Sequence, residues 1–132
     1  TLEFVGSVDV YKRQIFPTAY PQLHLHSGTH DNETLAQWLA QTSETARTYA
    51  AEYLGLTEQE GYAWGILRSG LASVADTFIA QLQDYLGLGA EARMNTPGTL
   101  SDRNWSWRLQ PGLLTAELAH RLRRMNTMYE RL

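Results

Sequence analysis

The 132-residue chain contains no cysteine. That absence excludes disulfides, a thiol nucleophile and thiolate metal sites, and it fits a cytoplasmic protein. Charge of one sign is also scarce: 11 Lys and Arg stand against 14 Asp and Glu. Without a basic surplus there is no electrostatic footprint for nucleic acid, and no nucleic-acid partner is expected. The cluster Arg121, Arg123 and Arg124 reads as the solvated face of a helix. No run of about 18 apolar residues occurs, so no membrane span and no membrane partner are expected. A Gly-rich phosphate loop is missing too. Ser27, His30 and Asp31 lie too close together in sequence to fold into a nucleophilic triad.

What is present is a chain 43% hydrophobic and 19% charged, a composition that folds rather than stays disordered. Its length allows one modest domain. Residues 1–14 join poorly to the rest of the chain and read as a junction, not as part of that domain; residues 15–132 read as the domain itself. Leu23 to Ser27 alternates apolar and polar residues, the period of a strand. Asn32 reads as the cap of a helix carrying Leu35, Trp38 and Leu39. Thr42 or Ser43 starts the next helix and Gly55 stops it. Thr57 to Glu60 forms a capping box for a third helix, running to about Ser73. Thr77 to Leu82 reads as a second buried strand ending at Gln83 and Asp84. Residues 87–112 form a long structured loop, and such loops are usually functional. A last helix then carries Leu114, Leu118, Leu122, Met125, Tyr129 and Leu132 as one packing stripe. Strands separated by helical crossovers imply parallel pairing, and two strands need others beside them.

Two patches carry chemistry. The first is His24-Leu25-His26-Ser27-Gly28-Thr29-His30-Asp31, a strand delivering a His-Asp pair to the start of a helix. Alpha/beta barrels place catalytic groups at such points. Asp31 there can hold developing positive charge or bind sugar hydroxyls, and His30 can donate a hydrogen bond. The competing reading has Asp31 and Asn32 merely capping the helix. A metal reading also stands: His24 and His26 share a strand face, and His30 or Asp31 could complete a ligand set for a metal-dependent hydrolase. The second patch is Glu91 to Thr99 followed by Asn104 to Arg108. Arg93 and Asn95 suit bidentate and hydroxyl contacts. Trp105 and Trp107 suit sugar stacking, or, as strand-like alternation, a core face. A non-catalytic helical interaction domain, with Trp and His serving the core, remains a third reading.

Gly28-Thr29-His30-Asp31-Asn32-Glu33-Thr34, Leu86-Gly87-Leu88-Gly89, Glu91 to Thr99 and Asn104 to Arg108 together resemble the C-terminal part of the amylomaltases. These are the 4-α-glucanotransferases, or disproportionating enzymes, of the α-amylase clan. The resemblance covers about residues 15–132. It implies an α/β chain, mostly helical, holding the last two strands of a (β/α)8 TIM barrel with their helices. The implied activity is retaining transfer of α-1,4-glucan segments between maltooligosaccharides or starch chains, with no cofactor or metal. The resemblance makes Asp31 the carboxylate that stabilises the oxocarbenium-like state and His30 its hydroxyl-binding neighbour. Asn95 becomes a substrate contact, with Arg93 and Trp105 shaping the loop or lining the cleft. The nucleophile and acid/base belong to earlier strands, so the resemblance implies a fragment, inactive alone, whose partner is the missing N-terminal part of the same enzyme.

Overall fold

The computed structural model describes residues 24–131. The expectations for residues 1–14, Leu23 and Leu132 lie outside them. β1 (His24–His26) is followed by α1 (Leu35–Gln41), α2 (Glu44–Leu54) and α3 (Tyr62–Leu71), then by β2 (Thr77–Ile79). A short α4 (Leu82–Tyr85) and a 3-10 turn (Ala90–Ala92) lead into an irregular loop, and α5 (Ala116–Met128) closes the chain. The strands pair in parallel, His24 with Thr77, Leu25 with Phe78 and His26 with Ile79. Ser27 extends the ladder by donating its N–H to the Ile79 carbonyl at 2.9 Å. A parallel pair joined through helices is the unit that the sequence order implied.

Local chemistry explains most element boundaries. The Ser43 hydroxyl accepts from Ala46 N at the start of α2, and Gly55 ends that helix at φ 61°, where a side chain would be strained. Thr115 caps α5 in the same way, accepting from Leu118 N. Two of the boundaries that differ from the sequence reading lie at α3 and β2. The Thr57 hydroxyl does accept from Glu60 N, but the chain then turns at Gly61 (φ 86°) and α3 begins at Tyr62. β2 stops at Ile79, and Gln83 and Asp84 lie in the single turn of α4 rather than at a strand end.

The core gathers Leu35, Ala50, Leu56, Ile66 and Leu67, with Trp38, Leu54, Tyr62, Phe78 and Tyr85 packed against it. It therefore joins α1, α2 and α3 to β2. Full burial of Leu67 contributes about 1.5–3 kcal/mol. α3 approaches β2 closely because Gly70 has no side chain: a Cβ there would overlap the Phe78 ring. The C-terminal segment is clasped to the same region by Arg131. Its guanidinium donates to the carbonyls of Leu71 (2.9 Å), Ser73 (2.7 Å) and Ala75 (2.5 Å), which leave the end of α3.

The stripe on α5 is real but unfinished. Leu118, Leu122 and Met125 are half-buried, as is Tyr129 at the C-cap. Leu114 falls before the Thr115 cap, outside the helix expected to carry it; both it and Met128 are exposed, and no residue of the helix is fully buried. Arg121 is exposed, yet it is not simply solvated: it lies 3.6 Å over the Trp64 ring and donates to the Glu60 carbonyl.

Candidate active site

The polar loop between β1 and α1 leaves the C-terminal end of β1 and carries His30 and Asp31. Asn32 does not cap α1. Its Oδ1 accepts from both the N–H and the hydroxyl of Thr29, at 2.8 Å each, folding the loop on itself. Thr34, fully buried, caps α1 instead, its hydroxyl accepting from Gln37 N. The capping reading of Asp31 is thereby corrected, because a residue three positions later satisfies the helix end. The Asp31 carboxylate is left half-exposed and available.

The second rim comes from the loop after the 3-10 turn. Asn95 Nδ2 donates to Asp31 Oδ1 at 2.7 Å, a bond spanning 64 residues of sequence. Arg93 donates to the Asp31 carbonyl (2.8 Å) and to the Asn95 carbonyl (2.9 Å), and its Nη1 lies 3.6 Å from Glu33 Oε2. With only 19% of its side chain exposed, Arg93 is occupied by protein groups on three sides. His30 Nε2 lies 3.4 Å from Asp31 Oδ1, and its ring stands 5.0 Å from that of Trp105, tilted by 37°. Asp31, His30, Asn95, Arg93 and Trp105 thus form one constellation.

Trp105 occupies the left-handed region at φ 63°, unusual for a bulky residue. Its N–H donates to the Met94 carbonyl at 2.6 Å, which ties it to the Asn95 strand of the loop. Residues 102–106 form turns, so Trp105 and Trp107 do not alternate as a strand, and Trp105 stays 52% exposed. Asn104 pins the intervening loop, accepting from Thr96 N and donating to Thr99.

The metal reading is not supported. His24 and His26 do sit on one side of β1 with Leu25 buried between them. Among the described residues, however, no three of His, Asp or Glu gather as ligands. Asp31 lies beyond the strand end and faces Asn95 instead.

Residues 3–115 match the profile of the 4-alpha-glucanotransferase family. The chain belongs to that family. It is 47% identical to the 4-alpha-glucanotransferase of Clostridium butyricum over 107 residues, covering 80% of this chain and 22% of the relative. It is 39% identical to that of Thermus thermophilus, covering 94% of this chain and 26% of the relative. The structure superposes on the amylomaltase from Streptococcus agalactiae in complex with acarbose with a TM-score of 0.79 and 31% identity. That match covers 95% of this chain and 26% of the amylomaltase, a TIM-barrel enzyme. The chain spans about a quarter of the length of these relatives.

Within this glucanotransferase segment, sequence reasoning missed the residues that brace the site. Glu33 faces Arg93. Asp84 is fully buried and links the two strand ends to α1: its carboxylate accepts from the Ser27 hydroxyl (2.6 Å) and from Leu35 N (2.7 Å). Burial pushes its carboxyl above the usual value, while those two hydrogen bonds pull the other way. The one signal in the sequence was an acidic residue closing a β-rich run.

Proposed function

We propose that this chain is the C-terminal part of a (β/α)8 4-α-glucanotransferase, with β1 and β2 as its seventh and eighth strands. The observation that carries the reading is the Asp31 carboxylate, half-exposed at a strand's C-terminal end and held by Asn95. Barrel enzymes build their sites on that face. The reaction is retaining transfer of α-1,4-glucan segments from a maltooligosaccharide or starch donor to the 4-hydroxyl of an acceptor glucan.

Retention uses a carboxylate nucleophile and a carboxylic acid about 5–5.5 Å apart. We assign both to the missing N-terminal part of the same enzyme. The acid protonates the departing glycosidic oxygen while the nucleophile forms a bond to C1. The conjugate base then takes the proton of the acceptor hydroxyl as it displaces the nucleophile. Asp31 acts on the charge between these steps. Positive charge develops on C1 and the ring oxygen, and a preoriented anion stabilises it more in the transition state than in the ground state.

Asn95 fixes the direction of that anion and contacts glucan beside it. His30 donates to a sugar hydroxyl next to Asp31, and the exposed Trp105 ring lines the same wall. Arg93, with its donors directed at Asp31, Asn95 and Glu33, braces the two loops. The scheme uses no metal or cofactor. With no cysteine to protect or pair, we place the enzyme in the cytoplasm.

The test is turnover of maltotriose by this chain, alone and mixed with a complementary fragment carrying the remaining barrel strands. The chain alone should be inactive, and the mixture should release glucose and longer maltodextrins. A folded mixture that yields no products would contradict the assignment.

A further inference from the structure

The two site loops never touch through regular secondary structure; side chains hold them. We infer that Gln83 and Asp84, adjacent in α4 and both buried, form a positioning pair that sets the Asp31 loop against the Arg93–Asn95 loop. Asp84 is 0% exposed and Gln83 5% exposed. Neighbours in a helical turn point about 100° apart, so one turn can grip two loops.

Asp84 grips the first loop at both ends. Its Oδ2 accepts from the hydroxyl of Ser27, which itself accepts from Gln81 N at 3.1 Å. Its Oδ1 accepts from Leu35 N. Asp31 lies midway, four residues from each anchor (31 − 27 and 35 − 31). Between the anchors the loop folds on itself through Thr29 and Asn32, and meets the second loop at Asp31 and Glu33. Gln83 grips the second loop: its Nε2 donates to the Ala92 carbonyl at 3.2 Å, one residue before Arg93. The bonds from Asn95 and Arg93 to Asp31, with the Arg93–Glu33 pair, therefore close one side of a circuit whose far side is the Gln83–Asp84 peptide.

Rigid support of this kind matters because a shift of about 0.5 Å in a charged group is enough to weaken transition-state stabilisation. The pair touches no substrate; it acts through Asp31. This inference rests on the glucanotransferase reading above.

The test is a double-mutant cycle in the full-length enzyme that carries this chain, reading kcat on maltotriose for wild type, D84N, D31N and the double variant. D84N keeps an acceptor for Leu35 N but loses the acceptor for Ser27. Positioning predicts at least a tenfold fall in kcat for D84N when Asp31 is present, and less than a twofold fall in the D31N background. A role confined to overall folding would lower both backgrounds by the same factor, which would overturn the inference, as would an unchanged kcat for D84N. Should D84N fail to fold, S27A and Q83M enter the same cycle with the same two criteria. If D31N itself retains wild-type turnover, the functional reading fails instead, and the two failures are distinguishable.

Discussion

The bond from Asn95 to Asp31 allows a graded prediction. Asn95→Ala removes one donor from a carboxylate, a hydrogen bond worth about 1.5–3 kcal/mol when dry. Asp31 is 46% exposed, so water replaces part of it. The lower end, about 1.5 kcal/mol, corresponds to roughly a tenfold fall in kcat/KM. Asn95→Asp does more: it sets a second negative charge where the donor stood, 2.7 Å from Asp31 Oδ1. Two charges 4 Å apart repel by about 4 kcal/mol at an effective dielectric constant of 20. Solvent exposure halves this to about 2 kcal/mol, or roughly thirtyfold. The assay is glucose release from maltotriose by the full-length enzyme at low salt and at 1 M salt, where the screening length shrinks to about 3 Å. Asn95→Asp should be the more damaged variant, and its gap from Asn95→Ala should narrow in salt. An Asn95→Asp enzyme as active as Asn95→Ala, or a gap indifferent to salt, would refute the geometry.

Other expectations rest on single contacts. Gly70→Ala drives a methyl into the Phe78 ring, so the melting midpoint should fall by an amount equivalent to about 1–3 kcal/mol; an unchanged midpoint would contradict the packing of α3 on β2. Arg131→Met strips the donors from three carbonyls at the end of α3. It should cost about 2 kcal/mol in urea unfolding, and no shift in the urea midpoint would count against the clasp. Asp84 gives a pH signature. Its folded-state pKa lies above the ordinary 3.8, so the folded chain holds the proton more tightly. That contribution is present below pH 3.8 and is lost as pH rises through the raised value. Melting across that window should show a component that falls with pH in wild type and is absent in Asp84→Asn; identical profiles would contradict it.

The parts of this fold legible in the sequence are those written locally. Alternation marked β1, and Ser43 and Gly55 bounded α2 through short-range geometry. α1 was harder, because Asp31, Asn32 and Thr34 are all competent caps within one turn. Only the folded loop shows that Thr34 takes the role and frees Asp31. Asp84 illustrates a different barrier: in sequence a buried carboxylate looks the same as a solvated one, and its partners lie 49 and 57 residues away. The left-handed backbone of Trp105 had no local signal either, since bulky residues rarely adopt it. The pairing of His30, Asp31 and Asn95 came from family resemblance, and no periodicity could have supplied it. On α5 the apolar stripe was readable, while its half-exposure depends on what packs against it.

The central claim is that Asp31 supplies transition-state charge stabilisation in a shared glucanotransferase site. Its most direct measurement is kcat on maltotriose for the full-length enzyme carrying Asp31→Asn, with the melting midpoint measured beside it. The substitution is nearly isosteric and sits at a half-exposed position, so the midpoint should hold while kcat falls at least about a hundredfold. Turnover close to wild type in a folded Asp31→Asn enzyme would contradict the account.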